Sequence, residues 1–438
     1  MSIPLDKRPG RIAYVNARLL DPAMELDGRG ALLTEGETIA DFGPRLFADG
    51  VPEGVERIDC RGACLAPGLV DMRVQLREPG EEHKETIATA SEAAAAGGVT
   101  AMVCLPNTDP VIDDVAGVEF IARRAREVKL VKVYCHAALT QGLEGTQLSE
   151  IGLLKEAGAL AFTDGLQAVA NALVMRRALS YARTFNALII QHAEEPVLAE
   201  GGAMNEGIVA THLGLPGIPA AAESILLERD LRIVALTQGR YHAAHLSTAD
   251  AVDAIRRAKH AGLKVTCDTA PHYFTLDETA VGDYRTFAKV SPPLRVESDR
   301  AAIVAGLADG TIDAIASDHA PHDQDSKRQP FAQAAAGIIG LETSLALSLA
   351  LYHQKKASLL QIMAALTCKP ADLLGLAAGR LAKGAAADLV LFDPEAPWTI
   401  EENKFRSKSK NSPFSDREVK GRVLRTVVDG RPVFAAEH

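Results

Sequence analysis

No stretch of this 438-residue chain approaches the roughly 18 apolar residues of a membrane-spanning helix. Its opening, MSIPLDKRPGR, holds no apolar core of signal-peptide length, so the expectation is a cytoplasmic protein. Clustered basic charge is scarce as well. With a formal net charge of −10, the chain is a poor match for nucleic acid or an anionic membrane surface, either of which favours a basic patch. The one basic run, KFRSKSK (404–410), reads as a solvated loop. A disulfide framework is also missing. Cys60, Cys64, Cys104, Cys135, Cys267 and Cys368 are scattered, most of them inside apolar runs, and read as buried thiols. The C-x3-C of Cys60 and Cys64 has no second pair with which to complete a tetrahedral zinc site.

With 47% hydrophobic and 24% charged residues, the chain can bury a large core and carry a smaller appended unit. From residue 69 onward, short apolar runs alternate with longer Ala- and Leu-rich stretches, the rhythm of repeated βα units. Eight strand-like runs stand out: LVDMRV (69–74), TAMVCL (100–105), LVKVYCH (130–136), ALAFTD (159–164), ALIIQH (187–192), RYHAAH (240–245), LKVTCD (263–268) and IDAIAS (312–317). Eight in about 250 residues predict an α/β fold of the (β/α)8 TIM-barrel type over residues 67–379. The flanks, 1–66 and 380–438, are short alternating strands punctuated by Gly, Pro and Asp, as antiparallel sheets require. Both ends are expected to fold together as one small β-sandwich.

Working residues of such barrels lie at the C-terminal ends of the strands. Here those ends carry Arg73, Gln75 and Arg77 after the first run, Asn107 after the second, Asp164, His192 and His245 on the fourth, fifth and sixth, and Asp318 after the eighth. Six polar ends converging on one face are hard to explain as core packing. Residues at i and i+2 of a strand share a face, so Arg73 and Gln75 stand side by side. Arg cannot lose its proton to become a ligand, and Gln offers only a neutral carbonyl oxygen.

The segments APGLVDMRVQLREPG (66–80), LPNTDP (105–110), GALAFTDG (158–165), QHAEE, YHAAHLST and IASDHAPH (315–322) resemble class I dihydroorotases of the cyclic amidohydrolase superfamily. AMNEGIVATHLGLPGIPAAAE (203–223), KVSPPLR (289–295) and GIIGLETSLALSL (337–349) extend the likeness over nearly the whole chain. The resemblance implies a hydrolase of pyrimidine biosynthesis that interconverts carbamoyl aspartate and dihydroorotate. It implies Arg77, Asn107 and His322 as substrate-binding residues, and Asp164, His192, His245 and Asp318 as metal ligands. Asp318 would also be the catalytic acid and base. In that family the positions of Arg73 and Gln75 are both histidines, and Ser291 stands where many relatives have Asn. Hydantoinases and allantoinases resemble another layout, with a carbamylated Lys at the end of the fourth strand; ALAFTDG has no Lys.

Two readings follow from the missing imidazoles. In the first, zinc is present as one ion or none, and a single ion held by His192, His245 and a carboxylate lowers the pKa of bound water and polarises the ring carbonyl. In the second, Arg73 pairs with Asp164 or Asp318 and supplies positive charge where an ion had been. The chain would then be an inactive homologue serving as a structural or regulatory subunit of aspartate transcarbamoylase. Drift to a different cyclic amide is disfavoured, because Arg77, Asn107 and His322 would form a carboxylate clamp useful only for an acidic ring. A homo-oligomer is the base-rate expectation.

Overall fold

The computed structural model describes residues 10–436. Strand one, Leu69–Val74, pairs in parallel with strand two, Val99–Cys104, which pairs with strand three, Lys132–Cys135. Strand five, Leu188–His192, strand six, Arg240–Ala244, strand seven, Val265–Thr269, and strand eight, Ala314–Ile315, form the other parallel group. Single parallel bridges complete the ring. Phe162 of strand four bridges Ala137 on one side and Ile189 on the other, and Val74 bridges His319. The ring therefore closes as a (β/α)8 barrel. Its interior is packed by Met72, Val103, Ala161, Leu188, Ile190, Ala244, Ala314 and Ala316, drawn from six of the eight strands.

Strand one does not run straight into the mouth. Its register with strand two breaks between Asp71 and Val74, a bulge of the kind that re-aims side chains beside functional sites. At its start, Gly68 lies so close to strand two that a Cβ would sit 2.1 Å from Thr100 Oγ1; only glycine admits that approach. The following loop ends at Thr86, whose capping box opens the helix Ile87–Ala96.

Both termini join in one β unit as expected, but where a β-sandwich is expected the strands hydrogen-bond as one eight-stranded sheet. Its path runs Arg431–Ala435, Glu418–Val428, Leu389–Thr399, Cys64–Pro67, Arg11–Asp21, Leu26–Glu35 and Thr38–Gly43, with Glu56–Asp59 added in parallel to Arg11–Asp21. Cys64–Pro67 leads through Gly68 alone into barrel strand one, so the sheet and the barrel are tied by a single-residue link. All six cysteines are buried and free. Among the described residues, no helix is long and apolar enough to cross a membrane.

One expectation is corrected here. The 404–410 run is solvated on one side only: Lys404, Arg406 and Lys408 are exposed, but Phe405, Ser407 and Ser409, with Asn411 and Ser412 just beyond, are buried. Hydrogen-bonding groups of this segment are taken up by the barrel loops rather than by water, so a charged composition concealed a packed segment.

Candidate active site

Arg73 is buried at 2% exposure in the barrel mouth. Its Nε donates to Asp318 Oδ1 at 2.8 Å, and its Nη2 approaches the Gly165 carbonyl at 3.3 Å. Nη1 is buried with no partner. Asp318 is ringed further by His245, whose Nδ1 lies 3.5 Å from Oδ2, and by His272, whose Nε2 lies 3.9 Å away. Burial alone would raise the Asp318 carboxyl, but His245 and Arg73 outweigh it and hold the group well below the usual carboxylate range. The imidazoles are pushed the other way. Burial, helped by the Arg73 charge, lowers His245 to about 4, and burial lowers His272 to about 4. Both rings are thus neutral at pH 7, which leaves Arg73 as the standing positive charge on Asp318.

The backbone carries strain at the same places. Arg77, His245 and Asp318 have φ of 60°, 39° and 51°, a region costly for residues with a Cβ and one that clusters at functional sites. Asp268 on strand seven pins His245 by accepting its backbone N–H at 2.7 Å, and it also meets His242 Nε2 at 2.9 Å. His242, with Thr266 Oγ1 on its other nitrogen at 2.8 Å, is a satisfied core histidine.

Of the four expected ligands, His192, His245 and Asp318 lie together and Asp164 does not join them. Asp164 accepts the N–H groups of Leu139 and Thr140, at 3.0 and 2.8 Å, and the Thr140 hydroxyl. A carboxylate with three local donors is serving the loop after strand three. Nor do the others converge on one point. His192 Nδ1 meets His245 Nε2 at 2.7 Å, whereas Asp318 approaches the opposite nitrogen of the same ring. One of the two imidazoles donates to the other across that contact, leaving no space between them for an ion whose bonds to nitrogen are about 2.0 Å long. Gln75 is engaged too, its Oε1 accepting from Asn107 Nδ2 at 3.2 Å. Among the described residues, no group of three or more His, Cys, Asp or Glu could hold a metal ion. As placed, these donors do not fit a zinc centre: Arg73 pairs with Asp318, and the loop after strand three holds Asp164.

Of the three residues expected to bind substrate, Arg77 and His322 are in contact, and Asn107 is engaged separately by Gln75. Arg77 Nη2 lies 3.3 Å from His322 Nε2, although 245 residues separate them in sequence. Asn107 meets Gln75 instead. Arg77 Nη1 also donates to Glu81 at 2.8 Å and Nε to the Pro321 carbonyl at 3.1 Å. Burial, with the positive charges of Arg77 and Lys327, lowers His322 to about 3, so it is a neutral hydrogen-bonding group.

Sequence reasoning overlooked the ends of strands three and seven. His136 meets the Met72 carbonyl at 2.9 Å and leaves Nδ1 unpartnered, and neither nitrogen of His272 has a hydrogen-bond partner. The signals were legible: VYCHA and TCDTAPH each place a histidine just past an apolar run.

Comparison with known proteins agrees with this architecture. The family model described as Dihydro-orotase-like matches residues 62–251, and that of the Amidohydrolase family matches residues 237–434. The dihydroorotase of Anaplasma phagocytophilum (strain HZ) is 50% identical over 432 residues, 97% of this chain and 96% of that one. That of Pelobacter propionicus is 50% identical over 419 residues, covering 96% and 98%. Among solved structures, the L-hydantoinase (dihydropyrimidinase) of Arthrobacter aurescens superposes with a TM-score of 0.86 at 24% identity, covering 98% of this chain and 96% of that one. The dihydropyrimidinase of Brevibacillus agri NCHU1002 gives 0.85 at 24%, covering 97% and 95%. These two likenesses are of fold.

Proposed function

This chain belongs to the dihydroorotase family of amidohydrolases, and from that premise we propose that it interconverts dihydroorotate and carbamoyl aspartate at a site where the Arg73 guanidinium supplies the charge that a metal ion supplies in typical relatives. The observation that carries this reading is the buried Arg73–Asp318 pair with Arg73 Nη1 left over as an unpaired donor. Asp318 takes the proton from the attacking water and returns it to the departing ring nitrogen. Arg73 Nη1 donates to the carbonyl oxygen as negative charge develops there, the role of a preorganised oxyanion donor in a water-poor site. Arg77, with His322 beside it and Asn107 as a further donor, holds the substrate carboxylate, which displaces Glu81 from the guanidinium.

The pair that keeps Asp318 ionised also makes it a weaker base, so turnover is slower than a metal-activated hydroxide would give. The test is a ring-opening and ring-closing assay on chelator-treated protein whose metal content has been measured. Turnover is expected to persist without zinc, to fall by about 10²-fold in Arg73→Met as for loss of an oxyanion donor, and to vanish in Asp318→Asn. Zinc-dependent turnover would overturn the role given to Arg73. Complete absence of turnover in folded protein would point instead to a non-catalytic subunit, for which co-purification with aspartate transcarbamoylase is the reading to check.

A further inference from the structure

The hairpin between Leu389–Thr399 and Glu418–Val428 of the terminal sheet has a long tip, residues 400–417, laid across the barrel loops. Glu342 accepts the N–H groups of Arg406 and Ser407 at 2.8 and 3.1 Å. Glu85, on the loop after strand one, accepts the Ser407 hydroxyl and the Lys408 N–H, the latter at 3.1 Å, and lies 3.5 Å from His319 Nε2. Ser409 Oγ donates to the Lys84 carbonyl at 2.7 Å. Asn411 differs from these in spending its whole side chain on one target.

Asn411 is buried at 2% exposure. Its Oδ1 accepts the His322 N–H at 3.1 Å, and its Nδ2 donates to the carbonyls of Ala320 at 3.0 Å and Gly337 at 3.1 Å. Its own carbonyl accepts the Ile339 N–H at 3.1 Å. The residues it grips are the two ends of the loop after strand eight, whose first turn carries Asp318 and His322. Backbone bridging of His319 with Ile338 and Val74 fastens the same loop at its base.

We propose that Asn411 is a positioning residue for the reaction: by clasping both ends of this loop it keeps Asp318 against Arg73 and His322 against Arg77. The Asn411 side chain touches no side chain of the pair or of the substrate cluster, and meets only the backbone of Ala320, His322 and Gly337. The inference rests on the proposed roles of Asp318 and His322. A segment that merely glues the terminal sheet to the barrel would do so equally well through Ser409, and that difference makes the two roles separable.

The test compares Asn411→Ala with Ser409→Ala, a strap lesion of similar burial that does not touch the strand-eight loop. The first readout is the Arg73 Nε–H signal in a ¹⁵N-labelled protein, identified by its loss in Arg73→Met; a buried guanidinium bound to a carboxylate gives a signal protected from exchange. It is expected to broaden or move toward the solvent-exposed position in Asn411→Ala and to stay in Ser409→Ala. The second is dihydroorotate turnover, where kcat is expected to fall on the order of 10-fold or more in Asn411→Ala and KM to rise, with Ser409→Ala close to the parent in both. Should Asn411→Ala fail to fold, Asn411→Ser, which can keep one of the three bonds, is expected to give an intermediate shift of the same signal. An unchanged Arg73 signal in the folded variant overturns the proposal, and so does an equal change in Ser409→Ala. A parent without turnover counts against the proposed function, while the Arg73 signal still decides the positioning role.

Discussion

Removing one partner of the Arg73–Asp318 pair leaves the other charged and out of water, and that asymmetry decides how the site responds to substitution. The side chains are only 2% and 10% exposed. Truncating one member of a buried pair typically costs about 3–5 kcal/mol, whereas replacing both by apolar groups is often neutral. Arg73→Met is therefore expected to lower stability by about 3–5 kcal/mol, and Arg73→Met combined with Asp318→Leu to recover most of that loss. Denaturant unfolding of the four proteins in the cycle measures it. Two single variants that each cost under about 1 kcal/mol, as exposed pairs do, would show that the pair does not form in solution.

Strands one and eight meet through another buried carboxylate. Asp71, 4% exposed, accepts the Ser317 N–H at 3.2 Å and the Arg73 N–H at 3.2 Å, so it ties the last strand to the first beneath the site. Burial raises its pKa from 3.8 to about 6. A carboxyl raised on folding contributes its full stability below the unfolded value, and that contribution is lost as pH rises through the folded value. The window is thus about pH 4 to 6, and a shift of about 2 units corresponds to about 3 kcal/mol. Asp71→Asn is expected to match the parent near pH 4 and to exceed its stability above pH 7. A difference between the two proteins that does not change with pH would contradict the assignment.

The same elements show what could be read from the chain alone. Runs with clear apolar character, such as LVDMRV and ALIIQH, became strands within a residue or two of their expected ends, because burial on both faces demands such runs. ALAFTD keeps its backbone pairing through Thr163, but Asp164 beyond it is drawn into the strand-three loop. That capture depends on Leu139 and Thr140, 25 and 24 residues away, which no local pattern links to it. The strap 404–410 misleads for a related reason: its backbone and serines, like Asn411, find partners more than 60 residues distant, so polar composition gave no hint of burial. His272 escaped sequence reasoning because it stands four residues past Asp268, in the short helix Pro271–Thr275 rather than at a strand end.

At the scale of the whole molecule, the barrel and the terminal sheet are those of a metal-dependent superfamily, while the mouth is arranged around an internal cation. The scaffold rests on apolar periodicity, whereas the mouth rests on a few polar side chains. Arg73 lies against Asp318, Gln75 is engaged by Asn107, and Asp164 is held by a loop. Replacing both, Arg73→His with Gln75→His, should free Asp318 and place two imidazoles beside it, a set of three ligands of the kind that suffices for a catalytic zinc. The most direct measurement is zinc content by elemental analysis, made on the parent and on the doubly substituted chain after equilibration with excess zinc and removal of unbound ions. The parent is expected to retain no stoichiometric zinc and the doubly substituted chain about one ion per chain; a parent that holds a full equivalent, with no gain on substitution, would contradict the claim that a guanidinium stands in for the metal.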